Sequence, residues 1–179
     1  MINVSSVYTT PPEQFGNPLQ QKTYSALKKL QIPFERVETD EAITMEDCVQ
    51  IDKKLQMRMV KTLFLCNRQQ SLFYLFVTAG DKPFKAKDFS NALGVARVSF
   101  APAELMERML GTIIGAATLF SALLADRDVI RIVLDRDVVD EAWYGCSDGT
   151  TTGYMKIRTA QIVKDFLPFT GHVPTIIEV

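Results

Sequence analysis

Histidine is nearly missing from this sequence. His172 stands alone, which removes the basis for a His-rich zinc site. Cysteine is scarce as well: Cys48, Cys66 and Cys146 follow no metal-ligand spacing. Their odd number and the lack of a signal peptide predict reduced thiols in a cytosolic protein. Cys66 and Cys48 read as small core hydrophobes. Neither sign of charge is in excess, with 20 Lys plus Arg against 21 Asp plus Glu. That balance argues against a non-specific nucleic-acid binder, while leaving room for a local basic patch. The longest uncharged run, residues 109–125, is short for a membrane span and is interrupted by Gly111, Thr112, Gly115, Thr118 and Ser121. It reads as a buried loop and helix. Internal repeats and low-complexity tracts are also lacking.

What is present is the composition of one globular domain. The 179 residues are 47% hydrophobic and 23% charged, enough to build a single hydrophobic core. Residues 1–18 carry Pro11, Pro12, Gly16 and Pro18 and read as an irregular N-terminal arm; residues 19–179 read as the domain. Tyr24, Leu27 and Leu30 recur at helical spacing within 19–31. Residues 34–37 follow as an extended piece, and the Thr44-x-x-Asp47 pair starts a helix that continues to Leu55.

Runs 60–66 and 72–78 predict an antiparallel hairpin. Residues 85–93 predict a helix closed by Gly94, 95–100 a strand, and 102–110 a helix ending at Gly111. Residues 129–134 are the clearest late strand. After it come a turn at 135–140, a Gly/Ser/Asp/Thr-rich loop at 143–152, a return to the sheet at 155–157, a helix from Thr159 through Leu167 and a last extended segment. Mixed strands and helices without a linker predict one α+β (mixed α/β) domain with a mixed, largely antiparallel sheet and surrounding helices.

One ordered series of residues is more specific than these patterns. It runs through Val60-Lys61-Thr62-Leu63-Phe64-Leu65, Leu72 to Val77, Ala79-Gly80-Asp81, Leu93-Gly94, Arg97 to Ala101, Leu110-Gly111, Gly115, Thr118, Phe120, Val133-Leu134-Asp135 and Gly171-His172-Val173-Pro174. The series resembles the editing domain of prolyl-tRNA synthetase and its free-standing relatives, the YbaK/ProX-like aminoacyl-tRNA deacylases, from about residue 19 to the C-terminus.

The resemblance implies hydrolysis of the ester between a wrong amino acid and the terminal adenosine of tRNA, with neither metal nor cofactor. It places the lysine beside the scissile end at Lys61 and the pocket-forming loop at 111–121, with Gly111, Ile114, Gly115, Thr118 and Phe120 as substrate-binding positions. Where relatives often carry Gly-x-His-Pro, this chain has Gly145-Cys146-Ser147-Asp148. Ser147 therefore occupies the histidine position, able to hydrogen-bond but not to serve as a base near neutral pH. Asp148 and Thr152 complete the expected rim.

Each residue has a plainer reading too. Lys61 could be a strand-end lysine facing solvent, although an ammonium inside an apolar run asks for a snorkelling path or an anion. A cation there could hold the terminal phosphate and stabilise a tetrahedral oxyanion. Gly111 and Gly115 could simply break a helix. Cys146 could be a nucleophile but lacks a His partner. His172 reads as structural, and Asp81, Asp135 and Asp137 as turn formers.

The leading expectation is trans-editing hydrolysis of misacylated tRNA carrying a small amino acid, with water as nucleophile and Lys61 positioning the 3′ end. The alternative is a catalytically weak or inactive homologue that binds an amino acid, an aminoacyl-tRNA end or a protein partner as a regulator. Expected partners are the 3′ end of aminoacyl-tRNA, with a synthetase or a second copy beside it, and no membrane.

Overall fold

The computed structural model describes residues 2–42 and 44–179. Met1, the first residue of the expected arm, lies outside them. Asn17 caps the first helix, α1 (Pro18–Lys29): its side chain accepts from the Gln20 amide at 2.8 Å, and Pro18 occupies the first turn, where no N–H is needed. After β1 (Glu35–Glu38) comes α2 (Cys48–Leu55). Thr44 and Asp47 exchange hydrogen bonds ahead of α2. The expected hairpin is β2 (Val60–Cys66) and β3 (Phe73–Ala79).

Next come α3 (Ala86–Leu93), β4 (Ser99–Phe100) and α4 (Ala103–Leu110), the two helices ending at Gly94 and Gly111 in left-handed geometry. A short 3-10 helix (Leu119–Leu123) precedes β5 (Ile130–Asp135), α5 (Arg136–Val139), β6 (Trp143–Ser147) and β7 (Gly153–Arg158). The last helix runs as α6 (Thr159–Gln161), a π-helical turn (Ile162–Phe166) and α7 (Leu167–Thr170), before β8 (Thr175–Ile177).

The strands form two sheets: a mixed one of five in the order β4-β2-β3-β5-β8, and an antiparallel one of three, β1-β7-β6. All seven residues of β3 are buried because helices and loops cover both of its faces. Phe73, Leu75 and Val77 join Phe64 and Cys66 in the main core, whereas Tyr74 and Phe76 join Leu65 and Phe89 on the other side. Each such side chain contributes about 1.5–3 kcal/mol relative to an exposed one. A smaller cluster under α2 unites Val37, Ile51, Leu55, Met59 and Tyr154.

Several sequence expectations are corrected. Residues 143–147, expected as part of a loop, are strand β6. Their glycine and serine content is outweighed by full pairing with β7 and by the need for a side-chain-free position at Gly145, where a Cβ would meet Met57 Sδ at 2.5 Å. Residues 155–157 do form a strand, but in the second sheet. The 95–100 strand shortens to Ser99–Phe100, because Gly94 and Val95 are spent closing α3. The turn at 135–140 holds a helical turn capped by Asp135. Thr159 does not cap the last helix: Arg158 is the N-cap, and the buried Thr159 hydroxyl has no hydrogen-bond partner. Among the described residues no helix is long and apolar enough to cross a membrane. Residues 109–125 form the end of α4, a loop and the 3-10 helix.

Candidate functional site

A cavity of about 130 Å³ opens where β2, the loop after α4 and the end of β6 converge, with Lys61, Thr62, Gly115, Ala117, Cys146, Ser147 and Tyr154 in its wall. Ala42, Met45, Cys48, Met59 and Val60 complete it. The two sheets meet at this point through a parallel bridge between Met59 and Gly145.

Lys61 sits near the start of β2, opposite Thr78 of β3. Its Nζ donates to the backbone carbonyl of Lys82. Partial burial lowers its pKa from the ordinary lysine value, and the nearby Asp81 carboxylate opposes that shift. Asp81 is itself held low, first by the hydrogen bond from Arg58, at 2.8 Å from Nη2.

Gly115 reaches the cavity on a loop that requires its φ of 90°. Thr118 fixes that loop: its hydroxyl donates to the Ser147 carbonyl at 2.8 Å and caps the 3-10 helix. Gly111 stands at the start of the same loop. It closes α4 at φ 70°, and a Cβ there would meet Leu124 Cδ1 at 2.8 Å. Ile114 is 63% exposed at the loop tip. Phe120 turns inward, edge-to-face with Phe166 at 5.2 Å. None of Gly111, Ile114, Thr118 and Phe120 is in the cavity wall.

Ser147 is in the wall, but its hydroxyl donates to the Thr150 carbonyl at 2.6 Å and accepts from the Gly149 amide at 3.1 Å. Its one proton is thus committed to the β6–β7 turn. Asp148 is buried behind the wall, taking Tyr24 Oη and Gln20 Nε2, each at 2.8 Å, on one oxygen and Thr150 Oγ1 on the other. Asp148 and Thr152 instead line a larger groove of about 770 Å³ beneath the N-terminal arm, with Tyr8, Phe15, Arg36 and Glu38. The smaller cavity is the better candidate despite its size, since Lys61, Gly115 and Ser147 meet there.

Residues not singled out from sequence also line it. Tyr154, whose hydroxyl donates to Ala42 O at 2.5 Å, could have been found from the alternation of β7. Met45, Cys48 and Met59 carried no such signal. Burial, reinforced by Asp148, pushes the Cys146 thiol well up; burial, with Asp52 and Asp47, pushes Cys48 up to about 11. Neither thiol is a ready thiolate. Among the described residues no group of three or more His, Cys, Asp or Glu is placed to hold a metal. His172 is buried, its Nε2 3.1 Å from Ala125 O, between the last helix and β8.

The family model of the aminoacyl-tRNA editing domain matches residues 39–164, which contain every residue of this cavity. The chain belongs to that family. The prolyl-tRNA editing protein ProX of Acetoanaerobium sticklandii is 27% identical to this editing domain over 120 residues, 67% of this chain and 73% of its own. The prolyl-tRNA synthetase associated domain-containing protein 1 of Danio rerio is 26% identical over 161 residues, 89% of this chain and 86% of its own. A solved structure described as a candidate trans-editing enzyme for prolyl tRNA synthetase has the same fold, at 16% identity and a TM-score of 0.63, covering 90% of this chain and 98% of that one.

Proposed function

We propose that this editing domain hydrolyses, in trans, the ester of misacylated tRNA carrying a small amino acid. The observation that carries the reading is the meeting of Lys61, Gly115 and Ser147 around one small cavity. Lys61 supplies the cation that takes the terminal phosphate or the developing oxyanion while one of its three N–H groups stays on the Lys82 carbonyl. Backbone amides of the Gly115 loop are the donors nearest the acyl group. Water is the nucleophile, because the two thiols in the wall are held protonated. A cavity of about 130 Å³ suits a small side chain.

Residues 19–179 are the editing unit and 1–18 its N-terminal arm; the protein works where charged tRNA is found, in the cytoplasm, and a synthetase or a second copy would deliver the tRNA body. The name of the ProX relative supports tRNA as the substrate class.

A second reading, a homologue that binds an aminoacyl end or a protein without turnover, draws support from Ser147, whose hydroxyl proton is spent on Thr150. Single-turnover deacylation of tRNAs carrying Ala, Ser, Cys or Pro separates the two. Selective ester loss that disappears in Lys61→Ala supports the enzyme. Background rates across the panel, with retained binding, support the second reading.

A further inference from the structure

Lys61 is held by a backbone carbonyl in a turn, a poor anchor unless the turn itself is fixed. The turn follows β3, and the Lys82 amide donates to Ala79 O at 3.1 Å. Gly80 lets it press against β2: the Gly80 amide donates to Met59 O at 2.9 Å, and a Cβ at Gly80 would stand 2.6 Å from that oxygen. Past the glycine, the restraint comes from the Lys82 side chain. Its Nζ reaches Asp135 Oδ2 and Asp137 Oδ2, each at 2.8 Å.

Asp135 ends β5 and is almost fully buried. On the oxygen that meets Lys82 it also takes the hydroxyl of Thr78 at 2.6 Å. Thr78 is the residue paired with Lys61 across the hairpin. A buried carboxylate without a cation is costly, so the arrangement requires Lys82 where it is. Burial pulls the Lys82 pKa down, but the hydrogen bonds to Asp135 and Asp137 outweigh it, keeping the Lys82 ammonium charged.

We infer that Lys82, clamped by Asp135 and Asp137, is a positioning residue that fixes the place of the Lys61 ammonium through its own backbone carbonyl. Substitution of Lys82 leaves that carbonyl in the chain and removes only what pins it. The inference takes its interest from the proposed role of Lys61, but its primary test needs no tRNA.

The test is competitive acetylation of the intact protein with trace acetic anhydride, read lysine by lysine by mass spectrometry and referred to the exposed Lys53. In Lys82→Met the relative reactivity of Lys61 should rise about 2- to 10-fold, the change expected when the net worth of one hydrogen bond is lost. Lys82→Arg should return it towards wild type. Should Lys82→Met expose all lysines together by unfolding, the double variant Lys82→Met with Asp135→Asn, which removes the buried charge along with its partner and keeps an acceptor for Thr78, carries the same comparison. Unchanged Lys61 reactivity in a folded variant would overturn the inference and leave the pair as a stability element. Where the wild type deacylates tRNA, Lys82→Met should lower kcat with little effect on KM; a wild type without turnover would sink the proposed function while the acetylation result still stands.

Discussion

The Thr118 hydroxyl donates to the Ser147 backbone carbonyl at 2.8 Å, joining the two walls of the cavity. Both residues are buried, so the bond has no water to replace it. Thr118→Val should cost about 1–3 kcal/mol by orphaning the carbonyl, and Thr118→Ser should recover most of it. Chemical denaturation of the three proteins gives the stabilities. The valine variant should also deacylate more slowly, since the Gly115 loop loses its tie to β6.

Tyr24 and Gly153 both pack against the Asp148 carboxylate. Burial, then the charge of Asp148 and the hydrogen bond to it, keeps the Tyr24 phenol protonated and therefore a donor. Tyr24→Phe leaves Asp148 short of one partner and should destabilise by about 1–3 kcal/mol. Gly153→Ala should be worse, because its Cβ would stand 2.6 Å from Asp148 Cγ in a packed site. Equal thermal stability of Gly153→Ala and the wild type would contradict this packing.

Asp52 sets a pH dependence of stability. Burial raises its carboxyl from 3.8 to about 6; the Met59 amide opposes that shift and Asp81 adds to it. The folded protein therefore holds this proton more tightly than the unfolded chain. The group's contribution is fully present below the unfolded value and is lost as pH rises through about 6. Asp52→Asn removes the titration while keeping an acceptor for Met59. The melting temperature of the variant, relative to wild type, should thus be highest near neutral pH and fall as pH drops from 7 to 4. A constant difference over that range would rule the effect out.

For Lys61 the direction is opposite to that of a solvent-exposed lysine seeking an anion. Its lowered pKa means that a rate requiring the ammonium should decline on the alkaline side earlier than an ordinary lysine would dictate, after subtraction of spontaneous ester hydrolysis. Lys61→Arg, with its charge locked, should abolish that decline even if its rate is lower. Single-turnover rates against pH for both proteins give the answer.

The parts of the fold written in local pattern were legible. The β2–β3 hairpin has alternating and continuous apolar runs, and Gly94 and Gly111 stand where two helices end in left-handed geometry. The strand β6 was not legible, because Gly145, Cys146 and Ser147 have weak strand preference and are held by partners distant in sequence. The same holds at the site. Lys61 and Gly115 carried a family pattern, but the burial of Phe120 and the capture of the Ser147 hydroxyl by Thr150 depend on tertiary packing. Asp135 looked like a turn former and Lys82 carried no signal, and only the alignment of β3 beside β5 brings them together.

The Met59–Gly145 bridge, which joins the two sheets at the cavity, also bears on the order in which the molecule can assemble. The β2–β3 hairpin closes a short loop, whereas the pairings of β3 with β5, β1 with β7 and Met59 with Gly145 close long ones, and long closures are slow. A nascent chain that has emerged only as far as β5 already contains Lys61 and Gly115 but neither Cys146 nor Tyr154 to complete the wall. During synthesis the wall of the cavity can therefore be completed only after β6 and β7 have emerged.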